Sequence, residues 1–186
     1  GNPNTTNALL PSTVVTIADY AFFTASVRPA MTTINCSNAS GLRTIGFQSF
    51  GGCTALTSVT LLNSVTSIGG YAFYGCSALP SFPWPSSALS INYETFNSCS
   101  LLTSVGDISS VTSIGSKAFV NNYALRSFSW PSGAQNIDFT FYNCIALTSV
   151  GNISSVTNIG SNSFYNCSAL ASFVVPSSVT SIGANA

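Results

Sequence analysis

The chain has almost no charge and no histidine. Of its 186 residues, four are Lys or Arg and four are Asp or Glu, so the formal net charge is zero. Without basic clusters a surface cannot neutralise phosphates, which excludes the electrostatic mode of nucleic-acid binding. Without histidine, the usual base of Ser and Cys nucleophiles and the commonest metal ligand are missing. We therefore expect no nucleic-acid partner, no metal and no cofactor.

Long apolar runs are also absent. The chain is 46% apolar, but Ser, Thr, Asn or Gly interrupts the apolar stretches every few residues. No run approaches the ~20 residues that a membrane-spanning helix needs. With 33 serines and 19 threonines, the surface must consist of hydroxyls and amides. We expect a soluble or surface-borne chain whose copies repel each other little.

What the sequence does contain is a strict internal repeat. VTSIGGYAFYGCSAL from Val65 returns as VTSIGSKAFVNNYAL from Val111 and as VTNIGSNSFYNCSAL from Val156. One isoleucine marks each unit, with steps of 28, 23, 23, 23, 23, 22 and 23 residues between Ile17, Ile45, Ile68, Ile91, Ile114, Ile137, Ile159 and Ile182. A constant period of this length predicts stacked coils that bury their apolar side chains against one another.

Further columns give each coil its parts. A phenylalanine follows the isoleucine by four or five residues, at Phe22, Phe50, Phe73, Phe96, Phe119, Phe141 and Phe164. Alternation around the Val or Phe column (Val59, Phe82, Val105, Phe128, Val150, Phe173) predicts a short half-buried strand. Equivalent strands should stack in parallel at about 4.8 Å. Residues that tolerate left-handed backbone follow most of the isoleucines, which predicts a bend at Gly46, Gly69, Asn92, Gly115, Asp138, Gly160 and Gly183.

A two-coil period overlies the single repeat. SFPWPSS at Ser81 and SFSWPSG at Ser127 alternate with SVGDISS at Ser104 and SVGNISS at Ser149, and SFVVPSS follows at Ser172. In the first type, alternation directs Trp84, Trp130 or Val175 inward. In the second type, a bulge at Gly106 or Gly151 moves Ile108 or Ile153 into the same core position.

The phrases IGGYAFYGCSALPSF and VVPSSVTSIG resemble the BspA-like class of leucine-rich repeats over about residues 10 to 186. The resemblance implies an α/β solenoid: a right-handed coil of about 7–8 turns of 22–23 residues. Short parallel strands would form one face and short helical turns or loops the other. It also implies a secreted or surface-displayed protein without catalytic residues. Several members of the class are adhesins. The chain departs from the pattern at FFTASVRPA in its first turn and at Asn122, which replaces a cysteine.

This interpretation predicts one domain. Residues 1–8 form a polar leader, and residues 9–186 form the repeat domain, with an atypical first turn at 9–41 and no evident C-terminal cap. The sequons at Asn4, Asn35, Asn38, Asn152 and Asn166 are possible glycosylation sites, although about five are expected by chance in so Asn- and Ser-rich a chain.

Five of the six cysteines share one repeat column, with Cys36 outside it. Side chains in such a column are parallel and fit the disulfide torsion poorly, so free buried thiols are expected at Cys53, Cys76, Cys99, Cys144 and Cys167. Two further sets stay open. Glu94 and Asp138 are either a widely spaced glycosidase pair or surface charges, with Glu94 paired to Lys117 on the next coil. Trp84 and Trp130 are either ligand platforms or core residues. We expect no enzyme.

Two functions follow as hypotheses. In the first, the chain is an extracellular structural protein whose uncapped ends stack head to tail into a filament. The contact residues would be Leu9, Leu10, Val14 and Ile17 at one end, with Val179 and Ile182 at the other. In the alternative, it is a monomeric adhesin or recognition module. A protein or glycan would then bind its strand face around Ser81, Ser104, Ser127 and Ser149. The repeated columns of Ser, Thr and Asn side chains would either form hydrogen bonds from turn to turn or make up that recognition face.

Overall fold

In the computed structural model, which describes residues 6–23 and 31–186, the chain forms a parallel β-solenoid of about seven turns. Each coil contributes up to two short strands and a turn segment. The first column of strands, here called the serine sheet, contains β1 (Asn7–Leu9), β3 (Thr33–Asn35), β5 (Ser58–Thr60), β7 (Ser81–Phe82) and β9 (Ser104–Val105). A bridge between Ser127 and Ser149 continues this column.

The second column is the isoleucine sheet. It contains β2 (Thr16–Ile17), β4 (Thr44–Ile45), β6 (Ser67–Ile68), β8 (Ser90–Ile91), β10 (Ser113–Ile114), β11 (Asn136–Ile137), β12 (Asn158–Ile159) and β13 (Ser181–Ile182). Equivalent residues pair in parallel, as Ile17 with Ile45 and Phe82 with Val105. Pairing divides the serine sheet into β1-β3-β5 and β7-β9, and the isoleucine sheet into β2-β4-β6, β8-β10 and β11-β12-β13. The repeat columns read from the sequence are therefore confirmed as columns in space. Asn7 and Ala8, assigned to the leader from sequence, form β1 together with Leu9.

The core consists of the repeat columns themselves. Ile45, Phe50 and Leu56 are completely buried, as are most of their equivalents. The phenylalanine rings stack from coil to coil: the ring centroids of Phe50 and Phe73 lie 5.3 Å apart, with 13° between the ring planes. Phe141 keeps its place in this stack although its unit is one residue shorter. Each coil is thus covered by its neighbours, as the repeat predicts.

The turn segments contain no helix anywhere in the described part of the chain, so the helical turns expected from the resemblance are not confirmed. Their N–H groups donate to the next coil instead: Gln48 to the carbonyl of Gly70, and Phe50 to that of Ala72. The third residue after each isoleucine has a left-handed backbone, at Tyr20, Gln48, Tyr71, Glu94, Lys117, Asn162 and Asn185, with Phe139 equivalent in the short unit. Left-handed residues interrupt a helix, which explains the loops.

The glycines that follow the isoleucines are not the left-handed positions, so that prediction was wrong. None of Gly46, Gly69 and Gly115 has a positive φ. They are needed because the preceding coil comes close: a Cβ added at Gly69 would lie 2.6 Å from the backbone nitrogen of Phe47. Glycine here allows close backbone contact between coils.

The two-coil alternation is confirmed in the core. Trp84, Trp130, Ile108 and Ile153 are all buried. The indole N–H groups of the two tryptophans donate to the carbonyls of Ala88 and Ala134, at 2.8 Å in both cases. The ring faces are covered, so the tryptophans are core residues and not open platforms. Val175, also assigned inward, is 46% exposed on the last coil.

Candidate functional site

A groove crosses four coils on the serine sheet. Two adjoining hollows of about 530 and 380 Å³ form it, and both are lined by Ser104 and Gly106. The other lining residues are Thr57, Ser58, Val59, Ser81, Phe82, Pro83, Thr103, Val105, Asp107, Ile108, Ser109, Ser127, Phe128, Ser129, Trp130, Pro131 and Ser132. Three strand spacings make this serine groove roughly 14 Å long. Ser81, Ser104 and Ser127, predicted strand-face residues, lie in it, whereas Ser149 does not line it.

Four serines of the groove have exposed hydroxyls that are unpaired among the described residues. In the part of the chain that the structure describes, the hydroxyls of Ser58, Ser81, Ser104 and Ser127 make no hydrogen bond to other residues. A free hydroxyl can donate one hydrogen bond and accept two, so each serine can bind a ligand group. The groove therefore presents a row of available donors and acceptors at coil spacing.

Other columns of polar side chains form hydrogen bonds between coils. The hydroxyl of Ser113 donates to that of Ser90 at 2.8 Å, and the hydroxyl of Ser181 donates to the Asn158 amide oxygen. The threonine hydroxyls of Thr103 and Thr148 donate to carbonyls of the preceding coil, both at 2.8 Å. The predicted turn-to-turn bonding thus occurs on these columns and not among the serines of the groove.

The alternation of two coil types shapes the groove. Buried Val105, Ile108 and Trp130 are among its lining residues. Gly106 lies on the coil between those of Pro83 and Ser129. Because it has no side chain, the surface there stays open. A Cβ at Gly106 would lie 3.1 Å from the backbone nitrogen of Trp84. The sequence analysis did not predict this hollow. The glycine in the repeated segments SVGDISS and SVGNISS was the feature that could have indicated it.

Among the described residues, Asp107 is the one charged residue that lines the groove. Its Oδ1 accepts the N–H of Ser109 at 2.9 Å, and hydrogen bonding to Ser109 lowers the pKa of the Asp107 carboxyl below its usual value. The group is therefore ionised at neutral pH. Because no Lys or Arg of the described ranges lines the groove, its described surface disfavours acidic ligands and suits neutral ones.

Glu94 belongs to a different surface, on the turn segments. Its Oε1 lies 3.7 Å from Nζ of Lys117, and its Oε2 accepts the amide of Asn97 at 2.9 Å. Nζ of Lys117 also lies 5.4 Å from the centre of the Phe139 ring. These contacts confirm the ion pair between Glu94 and Lys117. Neither Glu94 nor Asp138 lines the serine groove.

The five cysteines of the column are buried free thiols, as predicted, and Cys36 outside the column is a buried free thiol as well. The column cysteines donate to phenylalanine carbonyls of the preceding coil, as Cys99 does to Phe73 at 3.1 Å. Asn122, in place of a cysteine, donates its amide to the carbonyl of Phe96 at 2.9 Å. Burial raises the pKa of the Cys36, Cys53 and Cys167 thiols to about 11. Such thiols are poor nucleophiles and metal ligands. Within the described ranges, no three His, Cys, Asp or Glu residues form a possible metal site.

The residues predicted to mediate stacking differ in exposure. Leu9 and Ile182 are 61% and 58% exposed. Leu10, Val14 and Val179 are partly buried, and Ile17 belongs to the core. An apolar hollow of about 200 Å³ on the last coil is lined by Ile159, Phe164, Leu170, Phe173, Val175, Ile182 and Ala186.

Four predicted sequon asparagines, Asn35, Asn38, Asn152 and Asn166, are exposed, and Asn4 lies outside the described residues. A search of residues 6–23 and 31–186 finds no helix with the length and apolar character to span a membrane.

Three solved bacterial structures resemble the chain. A leucine rich repeat protein from T. pallidum shares 29% identity at a TM-score of 0.78, over 90% of this chain and 78% of that one. One from Eubacterium ventriosum shares 28% identity at a TM-score of 0.73, over 91% of this chain and 45% of that one. A leucine rich cell surface protein from Faecalibacterium prausnitzii shares 29% identity at a TM-score of 0.66, over 100% of this chain and 48% of that one. The chain thus spans less than half of the last two.

No curated protein sequence matches the chain. The family model described as BspA type leucine rich repeat region (6 copies) matches residues 28–140 and 107–186. These two matches include nearly all of the repeat columns on which the fold is built. The chain therefore belongs to the BspA type leucine rich repeat family.

Proposed function

We propose that the chain is a non-enzymatic recognition module at the cell surface or outside the cell, and that an uncharged glycan or protein surface binds along the serine groove. The observation that carries the proposal is the row of exposed hydroxyls of Ser58, Ser81, Ser104 and Ser127, which have no hydrogen-bond partner among the described residues. Family membership supports a role in interaction or structure. The name of the Faecalibacterium prausnitzii protein, a leucine rich cell surface protein, supports the location.

The test is a binding panel of immobilised extracellular matrix proteins, neutral oligosaccharides and acidic oligosaccharides. Ser104→Trp fills the centre of the groove with a residue that strands accept. Ser67→Trp is the matched control, because Ser67 is an exposed strand serine on the isoleucine sheet. We expect the wild type and the control to bind at least one uncharged panel member that Ser104→Trp no longer binds. Equal binding by all three proteins, or no binding at all, would contradict the proposal.

Self-assembly into a filament is the second candidate. It is favoured by exposed apolar side chains on the last coil, where Val174, Val175 and Ile182 are 85%, 46% and 58% exposed. The first coil of another copy would cover them and pair with β13 in a head-to-tail contact. A further coil of a longer chain would cover the same side chains.

Electron microscopy and sedimentation over a concentration series test this candidate. Filaments in the wild type that disappear in Ile182→Asp but persist in Ser67→Asp would support it. The control adds the same charge at an exposed position away from the last coil. Discrete short rods in the wild type at every concentration would rule it out.

A further inference from the structure

Tyrosines on the turn segments contact one another in two geometries. The rings of Tyr142 and Tyr165 are stacked, with centroids 4.9 Å apart and 10° between their planes. Those of Tyr71 and Tyr93 are 5.1 Å apart but nearly perpendicular, at 85°. Tyr71 and Tyr74 are 5.6 Å apart at 62°. The distances are similar, so the angle between the planes is what distinguishes the stacked pair.

The stacked pair is accessible and held in register. Tyr165 is 46% exposed and Tyr142 is partly exposed. The N–H of Asn143 donates to the carbonyl of Tyr165 at 2.8 Å, which joins the two coils beside the rings. The amide of Asn166 also donates to that of Asn143 at 3.1 Å. Backbone and side-chain bonds thus fix the two tyrosines relative to each other.

We propose that Tyr142 and Tyr165 form a site of oxidative cross-linking, at which a one-electron oxidant such as a haem peroxidase with hydrogen peroxide joins their rings as dityrosine. Each phenol loses one hydrogen atom to the oxidant and becomes a tyrosyl radical. The two radicals form a C–C bond between ring carbons ortho to the oxygens. The two hydrogens on those carbons then move to the oxygens and restore both phenols. One hydrogen peroxide is reduced to two waters for each bond formed.

The stacked geometry favours this step because the unpaired electron occupies orbitals perpendicular to the ring. In parallel rings these orbitals point at each other, so the ortho carbons can approach along them without a prior rotation of either ring. In the nearly perpendicular pair of Tyr71 and Tyr93, the orbital of one ring points at the edge of the other. Coupling there requires one ring to turn within a cluster that also contains Phe47.

Such a bond would join two adjacent coils on the outer surface of the solenoid. No disulfide joins these coils through Cys144 and Cys167, which are buried free thiols that each donate to a phenylalanine carbonyl. The cross-link would therefore be a covalent connection suited to a chain whose thiols are inside.

The test treats the full chain, at low concentration, with a haem peroxidase and hydrogen peroxide. We expect monomeric protein with dityrosine fluorescence, a mass lower by two hydrogen atoms, and a cross-linked peptide that joins Tyr142 to Tyr165. Tyr165→Phe keeps the stacked ring but removes the phenol, so the intramolecular cross-link should be lost. Tyr93→Phe is the matched control and should leave it unchanged.

Circular dichroism on both variants checks that the fold is kept. A cross-link that maps to Tyr71 and Tyr93, or that persists in Tyr165→Phe, would overturn the proposal. The proposal would also be overturned if dityrosine formed only in covalent dimers and the remaining monomer contained none.

Discussion

At the residue scale, glycine recurs at two positions of the repeat for two different reasons. Gly69 lies where the preceding coil comes close, whereas Gly75 has a left-handed backbone, with φ of 68°, and a Cβ added there would make only ordinary contact with the Gly52 backbone at 3.9 Å. Equivalent to Gly75 on later coils are Ser98, Asn121, Asn143 and Asn166, all with positive φ. Contact thus requires glycine at Gly69, while the second position accepts any residue that tolerates left-handed backbone.

This difference predicts opposite tolerances. Gly69→Ala should lower the free energy of unfolding by about 1–3 kcal/mol, because its Cβ would meet the backbone of Phe47. Gly75→Asn should change it by no more than about 0.5 kcal/mol. Urea denaturation of both variants measures the two values. A tolerated Gly69→Ala would contradict the packing of these coils.

Asn122 shows how one residue can replace another in a buried ladder. Its amide donates to the carbonyl of Phe96 as the cysteine thiols do on other coils, but its Oδ1 is buried without a partner. Asn122→Cys should keep the donor and remove the unpaired oxygen, which raises the free energy of unfolding by about 1 kcal/mol. Asn122→Ala, which lacks the donor, is the control and should not stabilise. A destabilised Asn122→Cys in urea denaturation would contradict this role.

The buried thiols predict a loss of stability at alkaline pH. Burial raises the pKa of Cys36, Cys53 and Cys167 from 9.0 to about 11, so the unfolded chain releases these protons at lower pH than the folded chain. Their contribution is therefore complete below pH 9 and is lost as the pH rises towards 11. Melting temperatures measured under reducing conditions should fall through this range, and less steeply in Cys36→Ala. The same slope in both proteins would contradict the assignment to Cys36.

At the scale of elements, the strands were predictable and the turn segments were not. Ile45, Phe50 and Leu56 recur with a period set by burial, so the sequence displays the columns directly. Left-handed positions are occupied by residues as different as Tyr71, Glu94 and Lys117, so no residue type marks them. The left-handed positions follow from hydrogen bonds to the next coil. Those bonds join two repeat units, so the sequence of one unit does not reveal them. The serine groove likewise depends on the contact between two coil types.

The two coil types also predict coupled core positions. Large Trp84 lies against small Ala88, whereas the neighbouring coil has Ile108 and Val111 at the equivalent positions. Trp84→Ile should leave a cavity and Ala88→Val should overfill the site, each at about 1–3 kcal/mol. The double variant should lose less than the sum of the two, as urea denaturation of the full cycle would show. Additive losses would contradict direct packing between the two positions.

At the scale of the whole molecule, the fold uses charge very little. The net charge is zero, and Glu94 with Lys117 is the one ion pair in the described residues. Contact between coils comes from stacked aromatic rings and from backbone bonds that pass from each turn segment to the next. A partner of such a molecule would be bound through hydroxyl groups and shape complementarity and not through charge. Its surface therefore suits a neutral ligand that follows the repeat.

The most direct test of recognition at the serine groove is hydrogen–deuterium exchange of the wild type, with and without the uncharged panel member that it binds. We expect slower exchange on binding in the segments that line the groove, 57–60, 81–83, 103–109 and 127–132, and no change in the turn segments. Protection confined to the turn segments, or to the last coil around Ile182, would contradict ligand binding on the serine sheet.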